Sequence, residues 1–267
     1  MSRQIPIWVV VPARDEALAL PHAIEALGRA SGEAGGPVHL VIVEDASVDA
    51  TGAIARGAVA AWRHGEACVI DGPGVGVGWA RRAGLDRAVI GALAAGEHDA
   101  LIATTDADSR VPVNWVARLR ACAAAGHAAI AGDVVLDPRT DARLVAARAR
   151  RLERRLRDVR LRHPDAEHPH FAGANLACSV RLLASLAPLP APFALEDDAL
   201  GALLERRGVP ILRDASFPVT TSGRLDGRAG AGLSQALRAD ALGFDTMVVE
   251  AAAAPRRPEP GSATDRR

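Results

Sequence analysis

Two aspartates, Asp106 and Asp108, follow the short apolar run at residues 101–104 and are separated from each other by one alanine. Such a run predicts a buried strand whose carboxyl end lies where open α/β sheets bind their ligands. Residues i and i+2 of an extended segment point to the same side, so both carboxylates can face one ligand. With the hydroxyl of Ser109 they offer hard oxygen atoms, which suit Mg²⁺ or Mn²⁺ and leave coordination positions for a phosphate.

Acidic pairs also follow two earlier apolar runs, at residues 7–12 and 38–43. The pairs are Asp15 with Glu16 and Glu44 with Asp45. A single acid at such a place is often a turn residue or a helix cap, and Asp49 with Ser47 could cap the helix expected after them. Three acidic pairs at one edge of a parallel sheet, however, repel each other unless a cation or hydrogen-bond donors compensate them. We therefore expect a ligand site at this edge.

A glycine-rich segment, residues 72–78, follows the third predicted strand and leads into a helix with Arg81 and Arg82. It lacks the last small residue of the dinucleotide fingerprint G-x-G-x-x-G and does not follow the first strand, which argues against a Rossmann dehydrogenase. Backbone amides in such a loop, together with guanidinium groups behind it, are nevertheless suited to contact with a diphosphate.

The second half of the chain carries two further groups of interest. The acids at 196–198 lie between a proline-rich segment and a predicted helix, where they could stabilise the first helical turn through the helix dipole or supply a general base. The histidines of the polar segment that follows the long arginine-rich stretch are expected in a loop, and one of them could contact an acceptor. These histidines are His163, His168 and His170.

The composition limits the chemistry. The chain has 267 residues, 49% of them hydrophobic, a formal net charge of zero, and neither Lys nor Tyr. Without Lys there can be no Walker A loop and no Schiff-base chemistry. A neutral chain also gives no global electrostatic case for nucleic acid. Cys68, Cys122 and Cys178 are too few and too scattered for a disulfide framework or a zinc site.

Strand-like and helix-like segments alternate about every 30 residues as far as residue 136, which predicts βαβ units and an α/β fold with a mostly parallel sheet. Residues 139–162 are rich in arginine and have apolar residues at helical spacing, so one long helix is expected there. Its charged face could simply be solvated, which is the more frequent case, or could attract anionic lipid or nucleic acid.

Location is predicted from three absences in the sequence. No uncharged apolar segment reaches the roughly 18 residues that a membrane-spanning helix needs. The first residues lack the profile of a signal peptide, and the sparse cysteines fit a reducing compartment. We therefore expect a soluble, cytoplasmic protein, with peripheral contact at the inner face of the membrane left open.

Taken together and in this order, the motifs resemble the family 2 glycosyltransferases of the GT-A type. The segments that carry the resemblance are residues 9–16, 43–51, 78–84, 105–109 and 196–197. They follow the order and spacing of the family over about residues 5–230. Two positions depart from the family pattern, since Glu44 stands where Asp is usual and Arg82 where Asn is usual. Each motif is weak alone, and the ordered set is what makes the resemblance specific.

The resemblance implies a single GT-A domain over residues 1–250, in which a mostly parallel, Rossmann-like sheet is flanked by helices. Its nucleotide-binding half would be residues 1–136 and its acceptor-binding half residues 137–250, followed by a disordered tail at 251–267. The implied activity is a metal-dependent, inverting transfer of a sugar from a nucleotide diphosphate sugar, expected to be UDP-linked, to a hydroxyl of a small or lipid-linked acceptor. The sequence lacks the QxxRW motif and the membrane-spanning helices of the family's polymerising synthases, so we expect a non-processive enzyme.

Residue roles are carried over from the matched positions. The resemblance implies that Asp106 and Asp108 hold the ribose and a Mn²⁺ or Mg²⁺ ion that bridges the diphosphate. It implies that Asp197 is the general base, although the adjacent Glu196 and Asp198 are not distinguished from it. The nucleotide-sugar site would further include Pro12, Arg14, Glu16 and Asp45, with Arg81 or Arg82 near the diphosphate. Outside the matched positions, we hypothesise that Arg224 and Arg228 close over the diphosphate as a lid. For the acceptor no motif matches, and we hypothesise that Asn175 and His170 contact it.

Two other functions stay open at this point. A sugar-nucleotide pyrophosphorylase uses a related nucleotide-binding sheet, but that class begins with a Gly-rich loop containing Arg and Lys, which residues 11–16 do not supply. A catalytically silent GT-A domain could bind nucleotide or carbohydrate for regulation or assembly. The retained acids Asp106, Asp108 and Asp197 argue against such decay.

Overall fold

The computed structural model describes residues 4–187, 196–226 and 232–241, and for 196–198 it describes the backbone only. The strands are β1 (Ile7–Ala13), β2 (Val38–Glu44), β3 (Ala67–Asp71), β4 (Leu101–Thr104), β5 (Ser109–Arg110), β6 (Ala129–Leu136), β7 (Leu176–Ser179) and β8 (Ile211–Thr221). The helices are α1 (Leu20–Ala34), α2 (Thr51–Ala61), α3 (Val77–Ala94), α4 (Trp115–Ala124), α5 (Ala142–Arg160), α6 (Val180–Leu186), α7 (Glu196–Arg206) and α8 (Leu233–Ala241), with a 3-10 turn at Gly173–Asn175.

Within these residues the strands form one eight-stranded sheet in the order β3-β2-β1-β4-β7-β6-β8-β5. The first half is parallel, because β1 pairs in parallel with both β2 and β4, and β2 with β3. The strand β7 then runs antiparallel to β4 and to β6, while β6 and β8 are parallel. The predicted α/β fold is therefore confirmed. The carboxyl ends of β1, β2 and β4 meet at one edge, which brings their acidic loops together.

Each face of the sheet is covered by its own hydrophobic core. Successive side chains of a strand point to opposite faces, so alternate residues of β1 enter different cores. Ile7 and Val9 pack with residues of α1, α2 and α4, whereas Trp8 and Val10 pack with residues of α3, α6 and α7. At Gly84 a Cβ atom would lie 2.3 Å from Val10 Cγ1, so only glycine lets α3 approach the sheet this closely.

The arginine-rich segment forms the single long helix that the spacing predicts. It begins after Asp141, whose side chain accepts a hydrogen bond of 2.7 Å from the backbone amide of Arg143. Of the residues of α5, only Arg148 is buried. The helix contacts α8 through an ion pair of 3.2 Å between Arg151 and Asp240. In the part of the chain that the structure describes, no helix combines the length and the apolar character needed to cross a membrane.

Candidate functional site

The loops that follow β1 and β2 are joined by hydrogen bonds between their acidic motifs. Asp15 has a φ of 52°, a conformation that is costly for a residue with a Cβ and that needs support from its surroundings. Its amide donates to Ser47 Oγ at 3.1 Å, and its carboxylate accepts from the amide of Val48 at 2.8 Å. The buried amide of Glu16 donates to Thr51 Oγ1 at 2.7 Å. These bonds position both loops as one unit at the edge of the sheet.

Asp49 supports the start of α2 from the position before its N-cap residue, Ala50. One of its carboxylate oxygens accepts from the amide of Thr51, the first residue of α2, at 2.9 Å. The other accepts from the amide of Ala17 at 3.1 Å and so ties the second loop to the first. Ser47 is not a cap, because its hydroxyl is used by Asp15.

Asp45 lies at the base of the site and is 2% exposed. Its Oδ1 accepts from the amide of Gly74 at 2.6 Å, while its Oδ2 is buried with no hydrogen-bond partner in the described structure and lies 4.0 Å from Arg14 Nη1. At Gly72 a Cβ atom would lie 2.5 Å from Asp45 Oδ1, which explains the glycine. A buried carboxylate oxygen without a donor is costly, so Oδ2 marks a position for an N–H or O–H group of a ligand. Pro12 is buried in the adjoining strand β1.

Arg81 and Arg82 lie on different sides of α3. Arg81 is 4% exposed, and its Nη2 is 3.0 Å from Asp106 Oδ1. Its Nη1 donates to the carbonyl of Gly173 at 3.3 Å, and a Cβ atom at Gly173 would lie 2.3 Å from Arg81 Cζ. Arg82 instead pairs with Asp86, one turn along the helix, at 3.5 Å. The structure thus brings Arg81, and not Arg82, to the aspartates that follow β4.

Arg224 joins two of the acidic loops, whereas Arg228 lies outside the described residues. Its Nη2 lies 3.0 Å from Asp108 Oδ2, and its guanidinium donates to both carboxylate oxygens of Glu16, from Nη1 at 2.9 Å. Burial, followed by the charge of Asp106, raises the pKa of Asp108 to about 6; Arg224 opposes this shift and Glu16 adds to it. Three carboxylates therefore face two guanidinium groups, those of Arg81 and Arg224. One negative charge remains in excess at a half-buried site.

This donor set fits a divalent cation by its chemistry. Asp106 and Asp108 offer carboxylate oxygens, and Mg²⁺ or Mn²⁺ commonly takes one or two carboxylates and completes its coordination with substrate phosphates and water. No group of three or more His, Cys, Asp or Glu side chains is arranged to hold a metal by itself in the described residues. A cation would thus depend on phosphate oxygens, and it would compete with Arg224 for Asp108.

An open cleft of about 570 Å³ lies beside Asp108 and Arg224. Leu18 before α1 and His22 within it line one side, and Thr140 before α5 and Leu144 within it line another. Arg110, which also lines the cleft, pairs with Asp137 at 2.6 Å. Arg224 also holds Glu16, so it links this cleft to the loop after β1.

Glu196 and Asp197 begin α7, and their side chains lie outside the described residues. The helix that carries them is anchored by Leu200 and Leu204, both buried in the core that also contains α3. The assignment of a general base among these acids stays a prediction.

The side chain of Asn175 is used entirely within the protein. Its amide oxygen accepts from Trp115 Nε1 at 2.8 Å, and its amide nitrogen donates to the carbonyls of Asp133 and Phe217 at 2.9 and 3.1 Å. At Gly132 a Cβ atom would lie 2.1 Å from that nitrogen. Asn175 therefore holds β6, β8 and α4 together, and these contacts favour a structural role over contact with an acceptor.

His170 is buried, and its Nε2 lies 3.3 Å from Asp133 Oδ1 without hydrogen-bond geometry. Burial holds the pKa of His170 well below its usual value, and the nearby charge of Arg148 acts in the same direction. The ring is therefore neutral at pH 7. It lies in the second half of the fold, against the inner side of α5.

Gly173 was missed as a functional position from the sequence, and the role of Gly72 within the glycine-rich segment was not predicted. The carbonyl of Gly173 accepts from both Arg81 and Thr104, and Gly72 permits the contact between Asp45 and the glycine-rich loop. A glycine next to a charged motif could have indicated such a position from the sequence. Whether that glycine is needed, however, depends on which other chain segment packs against it in the fold.

Solved structures of glycosyltransferases share this fold. Staphylococcus aureus TarS, residues 1–349, matches with a TM-score of 0.55 and 12% identity, over 94% of this chain and 76% of that one. The mannosyltransferase PcManGT of Pyrobaculum calidifontis, in complex with GDP-Man and Mn²⁺, matches with a TM-score of 0.56 and 18% identity, over 96% and 67%. Glucosyl-3-phosphoglycerate synthase of Mycobacterium tuberculosis, in complex with Mn²⁺, UDP and glucosyl-3-phosphoglycerate, matches with a TM-score of 0.54 and 19% identity, over 90% and 81%.

At these identities the likeness establishes the fold and leaves the substrates open. No curated protein matches the sequence. The model of the glycosyl transferase family 2 matches residues 8–186, which include β1, the joined acidic loops, Arg81 and the Asp106–Asp108 pair. The chain therefore belongs to glycosyl transferase family 2 and is an enzyme that transfers sugars.

Proposed function

We propose that this glycosyltransferase moves a sugar from a nucleoside diphosphate sugar, UDP-linked by expectation, to a hydroxyl of a small or lipid-linked acceptor. The transfer would be metal-dependent, inverting and non-processive. The observation that carries the donor site is the buried, unpartnered Oδ2 of Asp45 at the same sheet edge as the Arg81–Asp106 pair and Asp108. The solved relatives that hold UDP or GDP-Man together with Mn²⁺ support the proposal.

Each described donor-site residue has a distinct role in this proposal. Asp45 Oδ2 would accept a hydrogen bond from the nucleoside, while Arg14 at the exposed rim would limit the space around the base. Asp106 and Asp108 would hold the cation and the ribose. When bound, the cation would neutralise the charge that develops on the departing diphosphate. Arg81, already pre-positioned by Asp106 and Gly173, would donate to the same diphosphate.

Transfer itself requires a base for the acceptor hydroxyl. Asp197 is the residue proposed for this role, with Glu196 as its neighbour, because a carboxylate at the start of α7 would stand apart from the cation-binding pair. One displacement by the hydroxyl inverts the anomeric carbon, and no carboxylate nucleophile is needed. We place donor binding in residues 1–136 and acceptor binding in residues 137–250.

Family membership argues against the pyrophosphorylase alternative. It leaves one further reading to be tested, a GT-A domain that binds a donor without transferring it. The intact ion pairs of Asp106 and Asp108 and the orphan oxygen of Asp45 favour an active site over a decayed one.

The test is a thermal-shift panel of nucleoside diphosphates with and without Mn²⁺, followed by a measurement of donor hydrolysis. Saturation at about 100 times Kd stabilises the fold by about 2.7 kcal/mol, which corresponds to a rise in Tm of roughly 5–10 °C. We expect this rise with one nucleotide, only with Mn²⁺, and expect it to be lost in Asp108→Asn and in Asp45→Asn.

Asp86→Asn is the matched control, because it removes one carboxylate from the exposed pair with Arg82. It should keep the full shift. A rise in Tm without any donor turnover would favour the silent domain, and the absence of a shift with every nucleotide would contradict the donor site.

A further inference from the structure

Charge is distributed unevenly along this neutral chain. Residues 139–162 contain ten arginines against three acidic residues, a net charge of +7. Nearly all of this segment is the single helix α5. The remaining sequence must therefore be acidic by the same amount. A charge of this size on one helix produces a strong local potential at the surface of an otherwise neutral molecule.

Six of the eight arginines of α5 form two sets, and the other two, Arg155 and Arg160, are exposed outside these sets. The inner set faces the protein: Arg148 is buried and donates to the carbonyl of Val134 at 3.2 Å, and Arg151 pairs with Asp240 at 3.2 Å. The second set is exposed and recurs at intervals of seven, four and three residues, which places its members on one side of a helix with 3.6 residues per turn. We call this side the outer face of α5; it comprises Arg143, Arg150, Arg154, Arg157 and Leu161.

The outer face is exposed in the described structure. Its four arginines are all exposed, and two acidic residues, Glu153 and Asp158, lie beside them; Glu153 pairs with Arg157 at 3.2 Å. Leu161 follows the last helical turn and is 84% exposed, so a large apolar side chain stands at the end of a basic stripe. The contact with α8 is made through Arg151, which lies about a quarter of a turn around the helix from the outer face.

We propose that the outer face of α5 docks the enzyme on an anionic lipid bilayer. Guanidinium groups bind phosphate by paired hydrogen bonds, and each basic residue near an anionic membrane strengthens binding by about fivefold. A stripe of four arginines that ends in an exposed leucine suits an interfacial position, in which the leucine enters the region between headgroups and acyl chains. RNA fits this face less well, because single-stranded RNA is held by stacking on aromatic side chains and residues 139–162 contain none.

Docking through the outer face of α5 would place the proposed acceptor half of the fold next to the membrane. The charges of Arg148 and Arg151 act on the buried His170, so the inner side of the helix lies near the proposed acceptor half while the outer face would contact the lipid surface. The cleft beside Asp108 begins at Thr140 and Leu144, at the amino-terminal end of that helix. Resting on the proposed function, the inference favours a lipid-linked acceptor over a small soluble one.

The test is flotation of the full-length protein with vesicles of phosphatidylcholine containing 30% phosphatidylglycerol, compared with pure phosphatidylcholine vesicles. We expect binding to the anionic vesicles only, decreasing as salt rises from 50 to 300 mM because added ions screen the attraction. The variant Arg143→Gln/Arg150→Gln/Arg154→Gln/Arg157→Gln should bind at least 50-fold more weakly. Should this variant fail to fold by circular dichroism, Arg150→Gln/Arg157→Gln should still lose about 25-fold.

A control variant with the same change in charge distinguishes an effect of the outer face of α5 from an effect of the net charge of the protein. Arg29, Arg56, Arg63 and Arg181 are exposed on other elements, and their replacement by Gln should leave vesicle binding within about threefold of wild type. Equal loss in both variants, equal binding to neutral vesicles, or tighter binding to single-stranded RNA than to anionic vesicles would overturn the proposal. Vesicle binding needs no sugar donor, and donor hydrolysis without vesicles should be unchanged in the outer-face variant, so failure of the docking and failure of the proposed activity are distinguishable.

Discussion

Arg224 contributes a cation to the carboxylates of two loops that lie about 100 and 200 residues before it in the chain. It holds Glu16 by two hydrogen bonds and Asp108 by an ion pair, and these oxygen atoms are among the hardest ligands in the site. In the proposed function, a divalent cation bound by Asp108 would compete with Arg224 for this carboxylate. The released guanidinium would then be available to contact the donor diphosphate, which is the lid role expected from the sequence.

Replacing this arginine tests the competition directly. In the absence of nucleotide, Arg224→Gln should bind Mn²⁺ roughly tenfold more tightly than wild type, because no guanidinium competes for the carboxylates. Titration followed by the electron paramagnetic resonance signal of free Mn²⁺ measures this affinity. Arg110→Gln, which removes an arginine from the same cleft that pairs with Asp137, should change it little. An unchanged or weaker Mn²⁺ affinity in Arg224→Gln would contradict the competition.

Asp108 should make the stability of the metal-free protein depend on pH. Its pKa is about 6 in the folded protein against an ordinary value of 3.8, so the protonated form is favoured on folding. The stability linked to this group is therefore fully present below about pH 4 and is lost as the pH rises through 6.

The corresponding measurement is urea denaturation in EDTA at pH 4.5 and pH 7.5. Asp108→Asn removes the buried charge and should be more stable than wild type at pH 7.5 by on the order of 2 kcal/mol. The difference should shrink at pH 4.5, where Asp108 is protonated in the folded protein. A constant difference at both pH values would show that Asp108 titrates normally.

At the scale of elements, the two acidic loops form the site only because they are bonded to each other. The side chain of Thr51, the first residue of α2, accepts a hydrogen bond from the buried amide of Glu16. This bond fixes the position of the Glu16 carboxylate, which Arg224 holds. Asp15 remains in the left-handed region through its bonds to Ser47 and Val48. Ser47 and Thr51, in the loop after β2 and at the start of α2, therefore hold the backbone of the loop after β1 by hydrogen bonds.

Thr51→Val should lower the free energy of unfolding by about 1–3 kcal/mol, because the amide of Glu16 is left buried without an acceptor. It should also raise KM for the donor more than it lowers kcat, since the loop is displaced and the chemistry of transfer is untouched. Chemical denaturation and steady-state kinetics measure the two effects. Thr220→Val, at a half-buried position of β8, serves as the control and should stay within about 0.5 kcal/mol of wild type.

At the scale of the whole molecule, one sheet carries both halves of the enzyme. The antiparallel strand β7, from the proposed second half, lies between β4 and β6 of the proposed first half, and each core contains residues of both. Ala177 of β7 packs in one core and Cys178 in the other. We therefore expect the halves at residues 1–136 and 137–250 to unfold together, as parts of one domain.

The four tryptophans allow this to be measured, because Trp8, Trp62, Trp79 and Trp115 all lie in the first half. Their fluorescence reports on that half, whereas far-ultraviolet circular dichroism reports on the helices of both. The two urea transitions should coincide within error, as a two-state domain requires. A fluorescence midpoint separated from the circular dichroism midpoint would instead show two domains.

The sequence by itself determined the features that depend on neighbours along the chain. The β-branched runs of β1 and β2 are continuous because those strands are buried on both faces, and the i, i+2 spacing of Asp106 and Asp108 is a property of extended backbone. Helical spacing likewise located α5 to within a few residues. Ordered motifs were sufficient for the family as well.

Only the tertiary structure decided which side chains meet. Sequence could not separate Arg81 from Arg82, because adjacent residues of a helix point about 100° apart and the choice depends on how α3 packs against β1. The sequence could not show that the side chain of Asn175 forms hydrogen bonds with Trp115 and two backbone carbonyls. Nor could it show that Arg224 contacts Glu16, which lies 208 positions earlier in the chain. Such contacts follow from the packing of whole elements, in which each pair is set by many weak interactions distant in sequence, and no local pattern encodes them.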